Sequence, residues 1–101
     1  MDNYNKLTPA ETERLAILAE ECGEVLQSIG KVLRHGYSNY SPFTPTETNR
    51  DSLSMEIGDA LVAISYMVEA GDISENDLER RIEEKRDKIK KWLHHQEKVW
   101  Q

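Results

Sequence analysis

Residues 55–68, MEIGDALVAISYMV, decide the fold because they are apolar around almost the whole circumference of a helix. At about 100° per residue, one broad face is formed by Leu53, Ile57, Ala60, Leu61, Ile64, Met67 and Val68. Much of the other side carries Met55, Val62, Ala63 and Tyr66. A helix that is apolar on both sides is buried on both sides. The stretch therefore predicts a central helix that is covered from two directions.

A second helix is predicted before this stretch. Thr8 is a capping residue, Pro9 suits the first helical position, and Glu11 completes a capping box. Apolar residues then recur at helical spacing until Gly36, which is a natural helix stop. The first helix is therefore predicted to run from about residue 9 to 35. Residues 37–50, YSNYSPFTPTETNR, are rich in Pro, Ser, Thr and Asn and predict a long loop with no strand.

The remaining boundaries follow from turn signals. The central helix is predicted from about Asp51 to Ala70, with Gly71 ending it, and a third helix from about residue 75 to 96, with Ser74 as its cap. We therefore expect an all-α fold with three main helices in a single domain, residues 1–101. Three helices cannot easily cover both sides of the central one. We expect a homodimer or homotetramer to complete the bundle.

Charge is distributed unevenly along the chain. The formal net charge is -6, which argues against a nucleic-acid-binding surface. Residues 1–79 hold 5 basic and 15 acidic side chains, whereas residues 80–101 hold 8 basic and 4 acidic ones. The acidic body and basic tail could hold the cations and the anions of one site. On charge alone, a solvated, charge-patterned last helix is the favoured interpretation.

The compartment is inferred from cysteine content and from apolar runs. Cys22 is the single cysteine of the sequence, which suits a reducing compartment. No apolar run approaches the roughly 18 residues of a membrane span, and MDNYNKLTPAE at the N-terminus lacks the apolar core of a signal peptide. We therefore expect a cytoplasmic protein with no membrane partner.

Carboxylates are crowded beside the apolar faces of two predicted helices. The stretch LAEECGEVLQ, residues 18–27, contains Glu20, Glu21 and Glu24, and Glu56 and Asp59 lie three apart in the central helix. Close carboxylates repel one another, and an unpaired one among apolar residues is costly. A divalent cation removes both problems, and oxygen ligands without His or Cys suit Mg²⁺ or Mn²⁺. Either helix alone could simply carry exposed acids, but the coincidence of both patterns favours a metal site.

The two acidic patterns point to a family. EECGE followed by EIGD resembles the EExxE…ExxD signature of the MazG-like, all-α nucleoside triphosphate pyrophosphohydrolases. The resemblance implies hydrolysis of a nucleoside triphosphate at the α-phosphorus, giving a nucleoside monophosphate and pyrophosphate. It also implies that Glu21, Glu24, Glu56 and Asp59 are the metal ligands. Glu20 would be a further ligand or would orient and deprotonate the attacking water, so Glu20, Glu21 and Glu24 are the catalytic candidates.

Other residues are candidates for holding the substrate. These residues share a basic or amide side chain: Lys31, Arg34, Asn49, Lys85 and Lys88. Of them, Lys85 and Lys88 resemble basic residues on the family's later helix. Each could instead be a solvated surface residue, and Asn49 could cap a helix. The aromatic residues of the loop, Tyr37, Tyr40 and Phe43, could stack on a base or anchor the loop to the body.

Two other classes of protein are compatible with parts of the pattern. A carboxylate-bridged di-iron bundle requires Glu-x-x-His pairs, and none of His35, His94 and His95 completes one. A non-catalytic helical dimerisation or adaptor module explains the amphipathic helices but not a carboxylate beside Met55 and Tyr66. We expect a pyrophosphohydrolase that acts on nucleotides, with deoxynucleotides favoured, in nucleotide-pool control or housecleaning.

Overall fold

The computed structural model describes residues 4–41 and 44–96. Three α-helices dominate the described residues, which confirms the predicted all-α fold. The elements in chain order are α1 (Pro9–His35), β1 (Tyr40–Ser41), β2 (Thr44–Thr48), α2 (Asn49–Glu69), α3 (Glu75–Ile89) and a 3₁₀ turn (Lys90–Trp92). No helix in this part of the chain is both long and apolar enough to cross a membrane.

Both ends of α1 are set by local sequence. The Thr8 hydroxyl accepts a hydrogen bond from the Glu11 amide at 3.1 Å, and the Glu11 carboxylate accepts one from the Thr8 amide at 2.8 Å. At the other end the Gly36 amide donates to the Val32 carbonyl at 2.7 Å, with a φ of 83° that favours glycine. The predicted boundaries of α1 are confirmed.

The start of α2 differs from the prediction by two residues. Thr48 is the cap, and its hydroxyl and the Asp51 carboxylate form a reciprocal pair of 3.1 Å hydrogen bonds with the two backbone amides. The helix therefore begins at Asn49 rather than at Asp51, and Asn49 is not its cap. Gly71, with a φ of 83°, follows the end of the helix as predicted.

The predicted end of α3 at residue 96 is wrong. Ser74 caps the helix as expected, accepting from the Asp77 amide at 3.3 Å, but α-helical geometry stops at Ile89. A 3₁₀ turn follows, and Leu93 is extended. α3 makes no extensive packing contact with α1 or α2. A 3₁₀ turn is a frequent ending of an α-helix, and a helix that packs along no neighbour gains little from continuing.

The loop between α1 and α2 contains a short antiparallel pair that the sequence does not predict. Tyr40 lies opposite Thr48, and Ser41 lies opposite Thr44, with an irregular register between them. Two backbone hydrogen bonds fasten the loop to the first turn of α2, from Asn49 to Asn39 at 2.8 Å and from Arg50 to Tyr37 at 2.9 Å. β1 has only two residues, and β2, with the sequence TPTET, contains no apolar residue, so neither strand shows an alternating pattern.

A single chain has a small apolar core. α1 and α2 pack along each other, and the buried apolar residues among those described are Ala63 and Met67. Large apolar side chains stay exposed on both sides of α2, among them Leu61 at 59% and Val62 at 53%. The radius of gyration is 17.4 Å, against about 13 Å for a compact domain of this length.

Candidate metal centre

Packing of α1 on α2 brings three carboxylates together. One carboxylate oxygen from each of Glu21, Glu56 and Asp59 lies within 4.8 Å of the other two. Glu56 and Asp59 are neighbours on the surface of α2 because they are three residues apart, and Glu21 meets them from α1. Glu21 and Glu56 are half-buried, and Asp59 is exposed.

The electrostatics of this carboxylate cluster are unfavourable for a metal-free protein. The pKa of Glu21 is raised, first by burial and then by the negative charges of Asp59, Glu20, Glu56 and Glu24. Burial and like charge both disfavour the ionised form of a carboxyl group. The cluster is therefore a concentration of negative charge that a cation would stabilise.

The donor set fits a hard divalent cation. Within residues 4–41 and 44–96, no basic side chain forms an ion pair with any of the three carboxylates. All three groups offer oxygen, and no His or Cys belongs to the cluster. Mg²⁺ and Mn²⁺ prefer such ligands and bind through a few carboxylates, with water and phosphate oxygens completing the coordination.

The two other acids of the motif lie beside the cluster rather than in it. Glu20 and Glu24 are exposed on α1 and are not part of the group whose oxygens lie within 4.8 Å of one another. They are nevertheless close enough for their charges to raise the pKa of Glu21. Glu24 follows Glu21 by three residues, so the two are neighbours on the helix surface.

The predicted substrate-binding residues occupy different environments. Lys31 and Arg34 are exposed on α1, beyond Glu24. Asn49 is buried, and its amide nitrogen donates to the Gly36 carbonyl at 3.0 Å, which joins the two ends of the loop. Because α3 does not pack along α1 or α2, Lys85 and Lys88 are not placed against the cluster within one chain.

The loop aromatics are partly engaged in holding the loop. The Arg50 guanidinium lies over the Tyr37 ring, 4.9 Å from its centroid, an arrangement that anchors this end of the loop to α2. Tyr40 is 58% exposed. Phe43 lies outside the described residues.

An ion pair that the sequence analysis missed ties α1 to the turn after α2. The Arg14 guanidinium donates through two nitrogens to the Asp72 carboxylate, at 2.6 and 2.9 Å. This pairing lowers the pKa of Asp72 and raises that of Arg14. Since Arg14 precedes Glu21 and Asp72 follows Asp59, the two contacts show that α1 and α2 run antiparallel.

A hollow that the sequence analysis also missed lies between the same helices. It has a volume of about 250 Å³ and is lined by Glu13, Arg14, Ile17, Ala63 and Tyr66. Helical spacing contained a signal for it, because Ile17 precedes Glu21 by four residues and Tyr66 follows Asp59 by seven. The signal could be used only once the pairing of the two helices was known.

Comparison with known proteins identifies the family of this chain. No match was found among curated proteins or among solved structures. The family model for the MazG nucleotide pyrophosphohydrolase domain matches residues 10–95, which include both acidic motifs, α2, α3 and all of α1 except its first residue. The chain therefore belongs to the MazG nucleotide pyrophosphohydrolase domain family.

Proposed function

We propose that this chain hydrolyses nucleoside triphosphates at the α-phosphorus, with a divalent cation, to a nucleoside monophosphate and pyrophosphate. The convergence of Glu21, Glu56 and Asp59, inside the region that matches the family, carries the proposal. Deoxynucleotides are the proposed substrates, and nucleotide-pool control or housecleaning is the proposed role. Residues 1–101 act as one domain, in the cytoplasm.

The acidic side chains divide the work. Glu21, Glu56 and Asp59 hold Mg²⁺, or Mn²⁺ in its place, with Glu24 as a further ligand. When bound, the cation neutralises phosphate charge and lowers the pKa of water. Glu20 either adds another ligand or orients the attacking water and accepts its proton. The raised pKa of Glu21 supports this assignment, because a cation relieves the repulsion that raises it.

Lys31 is proposed to bind the phosphates that leave as pyrophosphate. It follows Glu24 by seven residues, so it lies on the same side of α1, about 10 Å further along the helix. Its ammonium group can therefore meet phosphate oxygens beyond the carboxylates. Arg34 is one turn further on. Asn49 is retained as a substrate-binding candidate, although its amide already holds the loop.

Assembly into a homodimer or homotetramer is also proposed. An apolar hollow of about 390 Å³ lies on the side of the helix pair away from Glu24, lined by Cys22, Val25, Leu26, Ile57, Ala60 and Leu61. A second copy would cover this apolar surface. Lys85 and Lys88 on α3 remain candidates for binding phosphate, at the acidic cluster of the same chain or of a neighbouring one.

Product analysis tests the proposed function. The protein is incubated with each of the four ribonucleoside and four deoxynucleoside triphosphates, with Mg²⁺ or with a chelator. Glu24→Gln and Asp59→Asn are assayed beside Glu69→Gln, a control that makes the same type of change at an exposed position near the end of α2. We expect monophosphate and pyrophosphate from the parent and from the control, with Mg²⁺ only, and neither product from the other two variants.

A folded parent protein without activity would favour the alternative, a non-catalytic helical dimerisation or adaptor module. No turnover of any nucleotide by the folded parent, in Mg²⁺ or Mn²⁺, would overturn the proposed activity. Activity that survives in Asp59→Asn would overturn the proposed site while leaving the reaction in place.

A further inference from the structure

The hollow lined by Glu13, Arg14, Ile17, Ala63 and Tyr66 adjoins the carboxylate cluster. Ile17 lies one helical turn before Glu21 on α1, and Ala63 lies one turn after Asp59 on α2. Since the two helices are antiparallel, both steps lead in the same direction along the groove. The hollow is therefore the next turn of the groove, about 6 Å from the carboxylates.

Lys31 lies in the opposite direction. It follows Glu21 on α1, whereas Ile17 precedes it, and Glu13, Ile17, Glu24 and Lys31 all fall on one side of the helix at about 100° per residue. The groove therefore has an order, with the hollow at one end, the carboxylates in the middle and an exposed lysine at the other end. A nucleoside triphosphate has the matching order of base, inner phosphate and outer phosphates.

The chemistry of the hollow suits a base and not a phosphate. The Arg14 guanidinium donates two hydrogen bonds to the Asp72 carboxylate, which already neutralises its charge. The Glu13 carboxylate, which also lines the hollow, would repel an anion but accepts hydrogen bonds from amino or hydroxyl groups. Because the hollow disfavours an anion and the other end of the groove carries Lys31, the phosphate chain is expected to extend from the carboxylates toward Lys31.

The size of the hollow and the exposure of its tyrosine support the same assignment. Its volume of about 250 Å³ lies below the roughly 300–1,000 Å³ of pockets that enclose a complete ligand. It therefore accommodates part of a nucleotide, above the apolar surface of Ile17 and Ala63. Tyr66 is 58% exposed, so its side chain is accessible to a ligand, and an aromatic ring is suited to stacking on a base.

We propose that this hollow is the nucleobase-binding subsite, with Tyr66 stacking on the base and Glu13 accepting a hydrogen bond from it or from the sugar. The inference rests on the proposed function and adds the orientation of the substrate. It makes Tyr66 a determinant of nucleotide binding that does not act on the phosphate chain.

Inorganic tripolyphosphate separates the two halves of the site, because it carries the phosphate chain without base or sugar. We would measure kcat/KM for the preferred nucleoside triphosphate, and the inhibition constant of tripolyphosphate against it, for the parent, Tyr66→Ala, Tyr66→Phe and Ser65→Ala. Ser65 is the exposed neighbour of Tyr66 and does not line the hollow. Circular dichroism would verify that each variant is folded.

We expect Tyr66→Ala to lower kcat/KM by about tenfold, the typical contribution of one base–aromatic stack, and to leave tripolyphosphate inhibition unchanged. Tyr66→Phe keeps the ring and Ser65→Ala does not alter the hollow, so both should behave like the parent. An equal kcat/KM for Tyr66→Ala and Ser65→Ala would overturn the subsite. The subsite would also be overturned if Tyr66→Ala lowered kcat/KM for the nucleotide and raised the inhibition constant of tripolyphosphate by the same factor.

Failure of the proposed function gives a different pattern. If the parent turns over no nucleotide, the reaction is wrong and the subsite fails with it. If the parent is active and only the response to Tyr66→Ala is absent, the reaction stands and the base lies elsewhere.

Discussion

Glu21 is the residue at which burial and negative charge meet. Its pKa is raised by burial and by four neighbouring carboxylates, so ionising it opposes folding of the metal-free protein. The native state then holds the proton of Glu21 more tightly than the unfolded chain, whose glutamate pKa is about 4.3. The stability of the metal-free protein therefore falls as the pH rises from this value through the native pKa.

Glu21→Gln should consequently be more stable than the parent at neutral pH in the presence of a chelator. The advantage should vanish below about pH 4, where the parent carboxyl is protonated in both states. Its activity should fall by more than about a hundredfold, since losing a group that only orients a ligand already costs about 10–100-fold. Thermal unfolding at both pH values, with Glu69→Gln as the control, measures the first effect. A variant that is less stable than the parent at neutral pH would contradict the electrostatic account.

The sequence indicates the carboxylates but not the hollow beside them. Glu21, Glu56 and Asp59 belong to spacings that are visible within single helices, and the structure brings their oxygens together. Their role as metal ligands stays a prediction. Ile17 and Tyr66 line the same hollow only because of how α1 is aligned on α2, and no spacing within one helix contains that alignment.

At the scale of the elements, helix boundaries that depend on local caps could be predicted, and those that depend on packing could not. Cap residues and terminating glycines affect only the backbone within a few residues of themselves. The structure shows the four that were predicted at helix ends: Thr8, Gly36, Gly71 and Ser74. The end of α3 and the short strand pair depend on contacts, or on their absence, that no local pattern specifies.

The Arg14–Asp72 ion pair joins α1 to the turn between α2 and α3, so it should stabilise that junction in a pH-dependent way. The pKa of Asp72 is lowered, mainly by its hydrogen bond with Arg14. The stabilisation is therefore complete above the unfolded aspartate pKa of about 3.9 and is lost as the pH falls through the lower native pKa. Asp72→Asn should lower the melting temperature at neutral pH, and the difference should close in strong acid.

Thermal melts of the parent, Asp72→Asn and Asp77→Asn across this pH range check the ion-pair prediction. Asp77 pairs with Arg80 on the exposed surface of α3, which makes it a control for an ion pair that joins no elements. If the melting temperatures of Asp72→Asn and the parent differed as much at the lowest pH as at neutral pH, the ion pair would not be the source of the stabilisation.

The variant Asn49→Ala distinguishes a structural role of Asn49 from a role in substrate binding. It is buried and donates to the Gly36 carbonyl, so Asn49→Ala leaves that carbonyl without its partner. We expect a loss of about 1–3 kcal/mol in the free energy of unfolding. Urea denaturation measures this loss, and Thr46→Ala, at an exposed position of β2, is the control. An unchanged stability with a raised KM would instead assign Asn49 to the substrate.

At the scale of the whole molecule, the exposed apolar surface is the feature that requires explanation. Leu61 and Leu26 are 59% and 69% exposed in a single chain, and they line the same apolar hollow. The sequence predicted a central helix that is apolar on both sides, and the structure shows that one chain leaves much of this surface uncovered. A second copy is the proposed cover.

Leu61→Asp should therefore weaken self-association. A carboxylate buried in an apolar interface should raise the dissociation constant by at least about tenfold, whereas the exposed position of Leu61 in one chain leaves the fold intact. Sedimentation velocity over a range of concentrations compares the parent, Leu61→Asp and Ser54→Asp, which places the same charge at another exposed position of α2. A monomeric parent, or identical behaviour of the two variants, would contradict the proposed assembly.

The position of bond cleavage is the central claim for the whole molecule, and one isotope experiment tests it most directly. The reaction is run with Mg²⁺ in water labelled with a heavy oxygen isotope, and both products are analysed by mass spectrometry. Attack at the α-phosphorus predicts one labelled oxygen in the nucleoside monophosphate and none in the pyrophosphate. Label in pyrophosphate, or in inorganic phosphate released beside a diphosphate, would contradict the account.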